Sequence, residues 1–588
     1  MNFFDKITMK KPKRNTFPLD HNHIFTMNVG DLVPAYFNYC VPGDVITIKT
    51  DFMAKFSPLV SPAFARMKVK TEHFFVPFSQ LFTNYQEVLM NYKGESQTVV
   101  QDGVSTTETY TEFPYISADD ISRWNNKIGT YSGTDAQLKD LSRYDFYGYD
   151  LGVHKRRCNA LLDYMGLPLP FTTYRFRSAA GSAGNNPNPE WLDLTGLTAA
   201  QALDSSNYTQ GLVAQVVFNG NDTVLRRDTT LDFIDFKINT LFARAYQKVY
   251  SDWYRNPLMT DPVDIYENTV YKTYANNSDY NRYYNSLFFL HKRNYRKDYF
   301  NTAAVDPTLG PSSVNIPTTV VELSKAKALQ RILDKKAVAG NRFYDWLKFT
   351  WNVFADNYEI DRSVYLGGST QNVQISEVLQ TSESSDSSAL GSRAGEANLY
   401  GVGSGSKFVA PDYGVILTMV SLIPEIDYMC GVSRLLTKTT WEDFPMPELA
   451  QIGMQQISQT ELKFPLSPRT HANSGSLQGT FGFCPRYSEF KQMQNRISGE
   501  FRHNLSYWHQ SPNYYEDKNS LTSMIGNNKW FSEIGQGSEV AVAYQPANEY
   551  YNNIFAVTSD EVADHCQASM YFDIKVNRAL PVQDMPHL

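Results

Sequence analysis

The sequence predicts a mainly β protein, in which antiparallel strands are joined by long loops and accompanied by several α-helices. The first observation behind this expectation is composition. Aromatic residues make up 14% of the chain, with 38 Tyr and 36 Phe, and such side chains suit the half-buried surface of a sheet. The second is the alternation of apolar and polar side chains, which marks strands at several places. With 588 residues, 42% of them hydrophobic, the chain is long enough for a large buried core.

The first strands are predicted around a turn at Pro42 and Gly43. Proline presets φ at such a turn and glycine tolerates positive φ, so the chain reverses direction there. Ile46 and Ile48 then alternate with polar neighbours, as in a half-buried strand. Residues 67–76 (MKVKTEHFFV) alternate in the same way. We expect these two stretches to form an antiparallel strand pair.

The clearest helix is predicted at residues 238–253. Apolar side chains recur there every three to four residues and form one stripe, which consists of Ile238, Phe242, Ala245, Val249 and Trp253. Arg244 and Lys248 lie off that stripe and are expected on a polar face. Pro257 ends the helix. A second helical region, broken by a Gly-Asn pair, is predicted at residues 323–354.

The last third of the chain returns to strands. Residues 414–424 (GVILTMVSLIP) form an apolar run that is too short to span a bilayer and is typical of a core strand. Residues 560–588 are interpreted as the last strand and a tail. The polar N-terminus lacks the apolar run of a signal peptide.

Charge and cysteine usage restrict the class of protein. The net charge is −7 and the isoelectric point is about 5.9, so any contact with nucleic acid must be local. The five cysteines are scattered along the chain and odd in number, which argues against a disulfide framework or a zinc site. We interpret them as reduced, mostly buried thiols of a cytoplasmic product.

No catalytic pattern emerges from the sequence. It presents no Ser-His-Asp order, no paired catalytic carboxylates and no nucleotide-binding loop, so we expect neither enzyme activity nor a cofactor. His21 and His23 would share one face of a strand and thus suggest a metal site. A hydrogen-bonding role in a loop is the favoured interpretation of this pair.

Several segments occur in an order that resembles one protein family. They are residues 41–44 (VPGD), 74–77 (FFVP), 161–168 (LLDYMGLP), 244–255 (RAYQKVYSDWYR), 293–303 (RNYRKDYFNTA), 443–450 (DFPMPELA) and 481–491 (FGFCPRYSEFK). Their order and spacing resemble the major capsid protein of microviruses, which are small, tailless, icosahedral single-stranded DNA bacteriophages, and in particular the gokushovirus-like branch. The resemblance covers most of residues 17–580. Ser363 and Val364 stand where the family has Pro-Glu, a modest departure.

The resemblance implies an eight-stranded antiparallel jelly roll, a viral β-barrel, with large inserted loops. It implies an interior basic arm at residues 1–28, a single capsid domain at 29–580 and a C-terminal tail at 581–588. Sixty copies would assemble into a T=1 icosahedral shell around a circular single-stranded DNA genome. The polar stretches at 83–145, 178–230 and 381–407 are expected to form surface or contact loops, with host attachment among their roles.

The implied partners follow from the same resemblance. They are further copies of the chain, packaged single-stranded DNA, a small basic internal DNA-binding protein, the DNA pilot protein of the virion, and a host cell-surface receptor. The implied location is the virion, after synthesis in the cytoplasm of a bacterial host.

Ten basic residues are candidates for contact with DNA or with the shell interior. They are Lys10, Lys11, Lys13, Arg14, Lys155, Arg156, Arg157, Arg293, Arg296 and Lys297. The N-terminal cluster is equally typical of a solvated tail. For residues 155–157 a solvated face is the favoured interpretation, and a DNA contact at the inner surface is the alternative. Around Arg293, basic residues interleave with tyrosines, a pattern that binds single strands by charge and base stacking, although a subunit contact is favoured there. Binding of this kind would be sensitive to salt and blind to sequence.

Two other classes of protein remain as alternatives. A receptor-binding or spike protein of another virus would share the Tyr-rich loops but would form trimers rather than shells. A carbohydrate-active β-sandwich enzyme would need two carboxylates facing each other across a cleft, and the sequence marks no such pair.

Overall fold

The structure is a computed structural model that describes part of the chain. The described residues are 13–64, 66–90, 97–101, 104–108, 112–117, 161, 164–166, 214–219, 222–227, 237–255, 290–294, 298–300, 362–379, 393–403, 405–429, 431–448, 450, 454–462, 480–502, 504–509, 554–556 and 564–582.

Strands predominate among these residues. In chain order they are β1 (Asn15–Pro18), β2 (His21–Met27), β3 (Leu32–Cys40), β4 (Val45–Phe56), β5 (Met67–Pro77), β6 (Gln97–Gln101), β7 (Val104–Glu108), β8 (Tyr115–Ser117), β9 (Ala214–Asn219), β10 (Asp222–Arg227), β11 (Lys237–Asn239), β12 (Val364–Asn372), β13 (Gln374–Leu379), β14 (Arg393–Val402), β15 (Ser406–Val409), β16 (Gly414–Pro424), β17 (Met454–Ser458), β18 (Thr480–Pro485) and β19 (Cys566–Arg578).

The described helices are short. The α-helices are α1 (Tyr85–Leu89) and α2 (Leu241–Val249), and α2 continues into a π-helical turn at Tyr250–Tyr254. The 3-10 turns are Phe78–Gln80, Arg434–Thr437, Trp441–Asp443, Gln459–Glu461, Ser488–Phe490, Gly499–Arg502 and Ser506–Trp508.

Two antiparallel sheets organise the described chain. In sheet I the strand order is β1–β19–β4–β14–β13, with β2 also paired to β19 and β15 also paired to β4. Thus β1 and β2 pair with successive parts of β19, and β14 and β15 pair with successive parts of β4. In sheet II the order is β12–β5–β16–β3. The other described sheets are four small two-stranded ones, β6–β7, β8–β11, β9–β10 and β17–β18.

The main core lies between the inner faces of the two sheets. On β19, side chains alternate between buried and outward positions along the whole strand, and β4 behaves in the same way. Their inward side chains form one cluster with those of sheet II, which includes Ile46, Ile48, Phe52, Phe75, Ile416, Val420, Leu422, Met570, Phe572 and Ile574. Burying each such side chain stabilises the fold by about 1.5–3 kcal/mol.

Helix α2 covers the opposite face of sheet II. Ala245, Tyr246 and Val249 are buried in a second cluster with side chains of β5 and β16, among them Phe74 and Leu417. Strand β16 is therefore covered on both faces. This explains why its sequence is a continuous apolar run rather than an alternating one.

Several predictions from the sequence are confirmed. The strands expected after the turn at Pro42, at residues 67–76 and at 414–424 are β4, β5 and β16, and the last strand is β19. The predicted helix is confirmed as α2 with its π turn, except that Ile238, the first residue of the predicted stripe, lies in strand β11. Cys40, Cys484 and Cys566 are buried free thiols, while Cys158 and Cys430 lie outside the described residues. The helical region predicted at 323–354 also lies outside them.

The prediction that β4 and β5 pair with each other is wrong. They lie in different sheets and face each other across the core. Alternation along a strand specifies which side chains share a face, but it does not specify the neighbouring strand. The loop between them carries the chain from one sheet to the other.

Two further differences concern polar segments. The described part of the predicted arm contains β1 and β2, so it forms part of sheet I. The predicted loop at 381–407 contains β14 and the start of β15.

On α2, Arg244 and Lys248 are buried rather than exposed, because elements other than sheet II also pack on the helix. Arg244 donates to the Leu81 carbonyl, for example.

Candidate contact surfaces

Arg14, in the basic N-terminal segment, contacts the turn between β3 and β4. Lys13 and Arg14 are both exposed. The Arg14 guanidinium donates a hydrogen bond to the carbonyl of Gly43, whose φ of 81° places it in the left-handed region. Arg14 is thus anchored to the turn that precedes β4. Lys10 and Lys11 lie outside the described residues.

Arg293 lies inside the subunit, between α2 and sheet II. Its guanidinium forms an ion pair with Glu72 of β5, donates to the hydroxyl of Ser421 at 3.0 Å and lies 4.9 Å from the centre of the Tyr254 ring. The side chain of Arg293 is only 15% exposed. Its charge is thus used to hold the segment at residues 290–294 against the sheet.

The electrostatics of this site centre on the Glu72 carboxylate. Burial would raise the pKa of Glu72, but the charge and hydrogen bond of Arg293, aided by Lys70, outweigh burial and lower it. The Tyr254 hydroxyl donates to the same carboxylate at 2.7 Å. Burial and the nearby carboxylate raise the pKa of Tyr254 well above its ordinary value, so this hydroxyl remains a donor. The arrangement binds three segments together.

The other basic candidates lie outside the described residues. They are Lys155, Arg156, Arg157, Arg296 and Lys297.

A second buried charge cluster was not predicted from the sequence. Arg434 pairs with Glu461 at 3.0 Å and with Glu489 at 3.5 Å, and Lys438 also pairs with Glu489. The Tyr299 hydroxyl donates to Glu461 at 2.9 Å. These contacts fix the 3-10 turn at Arg434–Thr437 to β17 and to the segment after β18. No local sequence pattern predicts these contacts, because the partners are far apart in the sequence.

His21 and His23 are in strand β2 and take part in ordinary hydrogen bonds. The Nδ1 atom of His21 lies 2.9 Å from the Leu19 carbonyl, and that of His23 lies 2.8 Å from the Ala35 carbonyl. Among the residues that the structure describes, no three His, Cys, Asp or Glu side chains are grouped so that they could hold a metal ion. No helix in the same residues is long and apolar enough to cross a membrane.

Comparison with known proteins identifies the family. A sequence model described as "Capsid protein (F protein)" of phages matches residues 6–131 and 309–588, more than half of the chain. The chain belongs to this capsid protein family. The resemblance to microvirus capsid proteins is thereby confirmed, and the chain is a viral major capsid protein, a structural component of the virion. Residues 132–308 of this capsid protein, which include α2, lie between the two matched segments.

Two relatives are both named Capsid protein VP1. The capsid protein is 22% identical to that of Chlamydia phage 1 over 639 aligned positions, which cover 100% of this chain and 98% of the relative. It is 22% identical to that of Bdellovibrio phage phiMH2K over 523 positions, which cover 84% of each chain. Both phages are gokushovirus-like microviruses.

Proposed function

We propose that this capsid protein folds as an eight-stranded jelly roll and assembles in sixty copies into a T=1 icosahedral shell around circular single-stranded DNA. Two observations support the proposal: membership of the capsid protein family, and the order of the strands in the two sheets. The strand order carries the argument about the fold.

Eight of the strands are arranged in the two sheets in the order of a jelly roll. Sheet I contributes β2, β19, β4 and β14 as neighbours, and sheet II contributes β3, β16, β5 and β12. Along the chain, consecutive members of this set alternate between the sheets, except that β5 and β12 are neighbours in sheet II. Two Greek keys rolled into a double sheet have this order, and viral capsid domains commonly use it. On this account β1, β13 and β15 are additions to the eight.

The longest connections between successive strands of this set are those from β5 to β12 and from β16 to β19. The predicted loop at 83–145 contains α1 and the β6–β7 pair, and that at 178–230 contains the β9–β10 pair. Because long insertions between rigid strands tolerate change and carry contacts, we assign subunit contacts and host-receptor attachment to them.

The basic residues near the N-terminus are assigned to the interior. Lys10, Lys11, Lys13 and Arg14 would contact packaged DNA or the small basic internal DNA-binding protein, and the DNA pilot protein would be a further partner. Lys155, Arg156, Arg157, Arg296 and Lys297 are kept as candidates of the same kind. For Arg293 the ion pair with Glu72 favours a role within the subunit.

Negative-stain electron microscopy tests the proposal. The protein would be purified after expression alone and also from infected cells. We expect uniform icosahedral particles of about 25–30 nm, the size that sixty subunits of this length require. Particles from infected cells should protect single-stranded DNA from nuclease. Discrete monomers or trimers from both sources would contradict the shell and favour a spike protein.

A further inference from the structure

Two segments, one following β16 and the other following β18, expose large apolar side chains and are joined to each other by ion pairs. Leu436 is 79% exposed, Trp441 66% and Met493 84%. Together with Leu435, Phe444 and Phe490 they are called the apolar patch. Exposed leucines are common singly, but a group that includes a tryptophan and two phenylalanines indicates a contact surface.

The two segments are joined beneath the patch by buried charges. Lys438 pairs with Glu489, and its ammonium lies 5.6 Å from the centre of the Phe490 ring. Arg434, in the 3-10 turn that ends just before Lys438, also pairs with Glu489. The side chain of Glu489 is only 5% exposed. The charged groups of Arg434, Lys438 and Glu489 therefore point inward, whereas the large apolar side chains point outward. A segment that is exposed only to solvent would show the opposite arrangement.

The segment bearing Trp441 is also held in one conformation. The Asp443 carboxylate accepts hydrogen bonds from the backbone N–H groups of Thr439 and Thr440, at 3.0 and 2.8 Å, and from the Thr440 hydroxyl at 2.9 Å. These bonds lower the pKa of Asp443 to about 2. A pre-ordered segment loses little conformational entropy on binding, which favours its use as a protein interface.

The exposed area suits a protein partner. Scaling the area of large side chains by their exposed fractions gives on the order of 600 Å² for the patch. The largest apolar patch on a typical monomer is about 300–600 Å². A standard interface buries about 800 Å² on each partner, so the patch with a polar rim would form one.

Charge on the rim points to a second copy of the same chain. Asp443 and Glu448 lie on the first segment, whereas Lys491 and Arg496 lie on the second. A surface with an acidic side and a basic side around one apolar centre is complementary to itself. Two copies related by a two-fold axis would place each acidic side against a basic one.

We propose that the apolar patch binds the same patch of a second copy of this capsid protein, with the acidic segment of each copy facing the basic segment of the other. The inference rests on the proposed shell, which requires contacts between copies and contains two-fold axes.

Sedimentation of the purified full-length chain over a range of concentrations tests this. The patch variant carries Leu436→Ser and Trp441→Ser, and the control carries Val582→Ser, which changes a valine of 70% exposure outside the patch and outside the proposed contact loops. We expect wild type and control to associate equally, and the patch variant to associate about a hundred-fold more weakly. An unchanged urea midpoint would show that the variant subunit remains folded.

The possible results distinguish the proposed patch contact from the proposed shell. Shells from wild type but not from the patch variant support both. Small oligomers from wild type that the variant loses support the patch and contradict the shell. Equal assembly of wild type and variant overturns the patch and leaves the shell intact. A wild-type protein that stays monomeric at every concentration contradicts both.

Charge reversal tests whether the acidic segment of one copy faces the basic segment of the other. Glu448→Lys and Lys491→Glu should each weaken association by about two- to five-fold, as expected for exposed ion pairs. The double variant reverses both signs and should recover most of the loss. If the two losses simply add, the acidic and basic segments do not face each other.

Discussion

At the residue scale, the Glu72 carboxylate connects sheet II with the chain that packs on it. It receives the Arg293 guanidinium, the Lys70 ammonium at 2.6 Å and the Tyr254 hydroxyl at 2.7 Å. A buried carboxylate with three donors is well satisfied, but the same carboxylate without its cations would be costly. The site therefore stabilises the subunit only while it is complete.

Replacing Arg293 by methionine should destabilise the subunit. Arg293→Met leaves a buried carboxylate without its main partner, and we expect the free energy of unfolding to fall by about 3 kcal/mol. Urea denaturation of the unassembled subunit measures this. The matched control is the double variant Glu72→Gln/Arg293→Met, which removes both charges and should lose less than Arg293→Met alone. A single variant within about 0.5 kcal/mol of wild type would contradict this role.

His73 should make the subunit sensitive to acid. Burial lowers the pKa of His73 to about 4, although the Glu72 charge opposes the shift, and the ring shares a 2.9 Å hydrogen bond with the Thr418 hydroxyl. In the unfolded chain the ring takes up a proton near its ordinary value of about 6.5. The unfolded state therefore binds more protons between these values, and stability falls as pH falls from about 6.5 to 4, by up to about 3 kcal/mol.

Thermal unfolding at a series of pH values checks this prediction. The variant His73→Gln keeps a polar side chain of similar reach beside Thr418 but cannot take up a proton. We expect its melting temperature to decline less than that of wild type between pH 6.5 and 4. Parallel declines in the two proteins would show that His73 does not contribute. His291, whose pKa burial lowers to about 3, should account for part of the decline that remains.

At the element scale, simple periodicities were predictable and irregular strands were not. The alternation along β19 and the helical stripe on α2 follow directly from the sequence. Strand β3 was missed because it is buried on both faces and contains Pro34. The proline is accommodated next to a register shift in the pairing with β16, on an edge strand of sheet II.

For the buried ion pairs, the sequence predicts the charge of each side chain but not its partner. The sequence marks Arg293 as basic and surrounded by tyrosines, but its partner Glu72 lies 221 positions away. Arg434 and Glu489 likewise form an ion pair although β17 and β18 lie between them in the chain. Local patterns give the chemistry of a side chain, whereas the fold decides whether that charge faces a carboxylate or a ligand.

The N-terminal basic segment should act on packaged DNA through charge. Replacing Lys10, Lys11 and Lys13 by Gln should reduce the DNA content of particles and weaken the salt dependence of its retention. Arg14 is kept, because its hydrogen bond to Gly43 holds the segment on the turn. The ratio of nucleic acid to protein in purified particles measures the effect. The matched control replaces the same lysines by Arg and should package normally; equal loss in both variants would argue against a charge effect.

At the scale of the whole molecule, the subunit is built to be completed by neighbours. Sheet II is covered on both faces, but the apolar patch leaves a tryptophan and other large side chains in water. Exposed apolar area of this kind is stabilised only when another surface covers it.

The melting temperature of the unassembled subunit should therefore rise with protein concentration. Association that involves only the folded state stabilises it by mass action. Differential scanning calorimetry over a hundred-fold range of concentration measures the shift, and the Leu436→Ser/Trp441→Ser variant should show a smaller one. A melting temperature that is independent of concentration would indicate a subunit stable without neighbours.

The mass of intact particles tests the central claim most directly, namely that this capsid protein closes into a shell of sixty copies. Charge-detection mass spectrometry of DNA-free particles measures the mass of the protein shell. Sixty subunits of 67.0 kDa predict a single species of ~4 MDa. A dominant trimer, or a closed particle of clearly different mass, would contradict the sixty-copy shell.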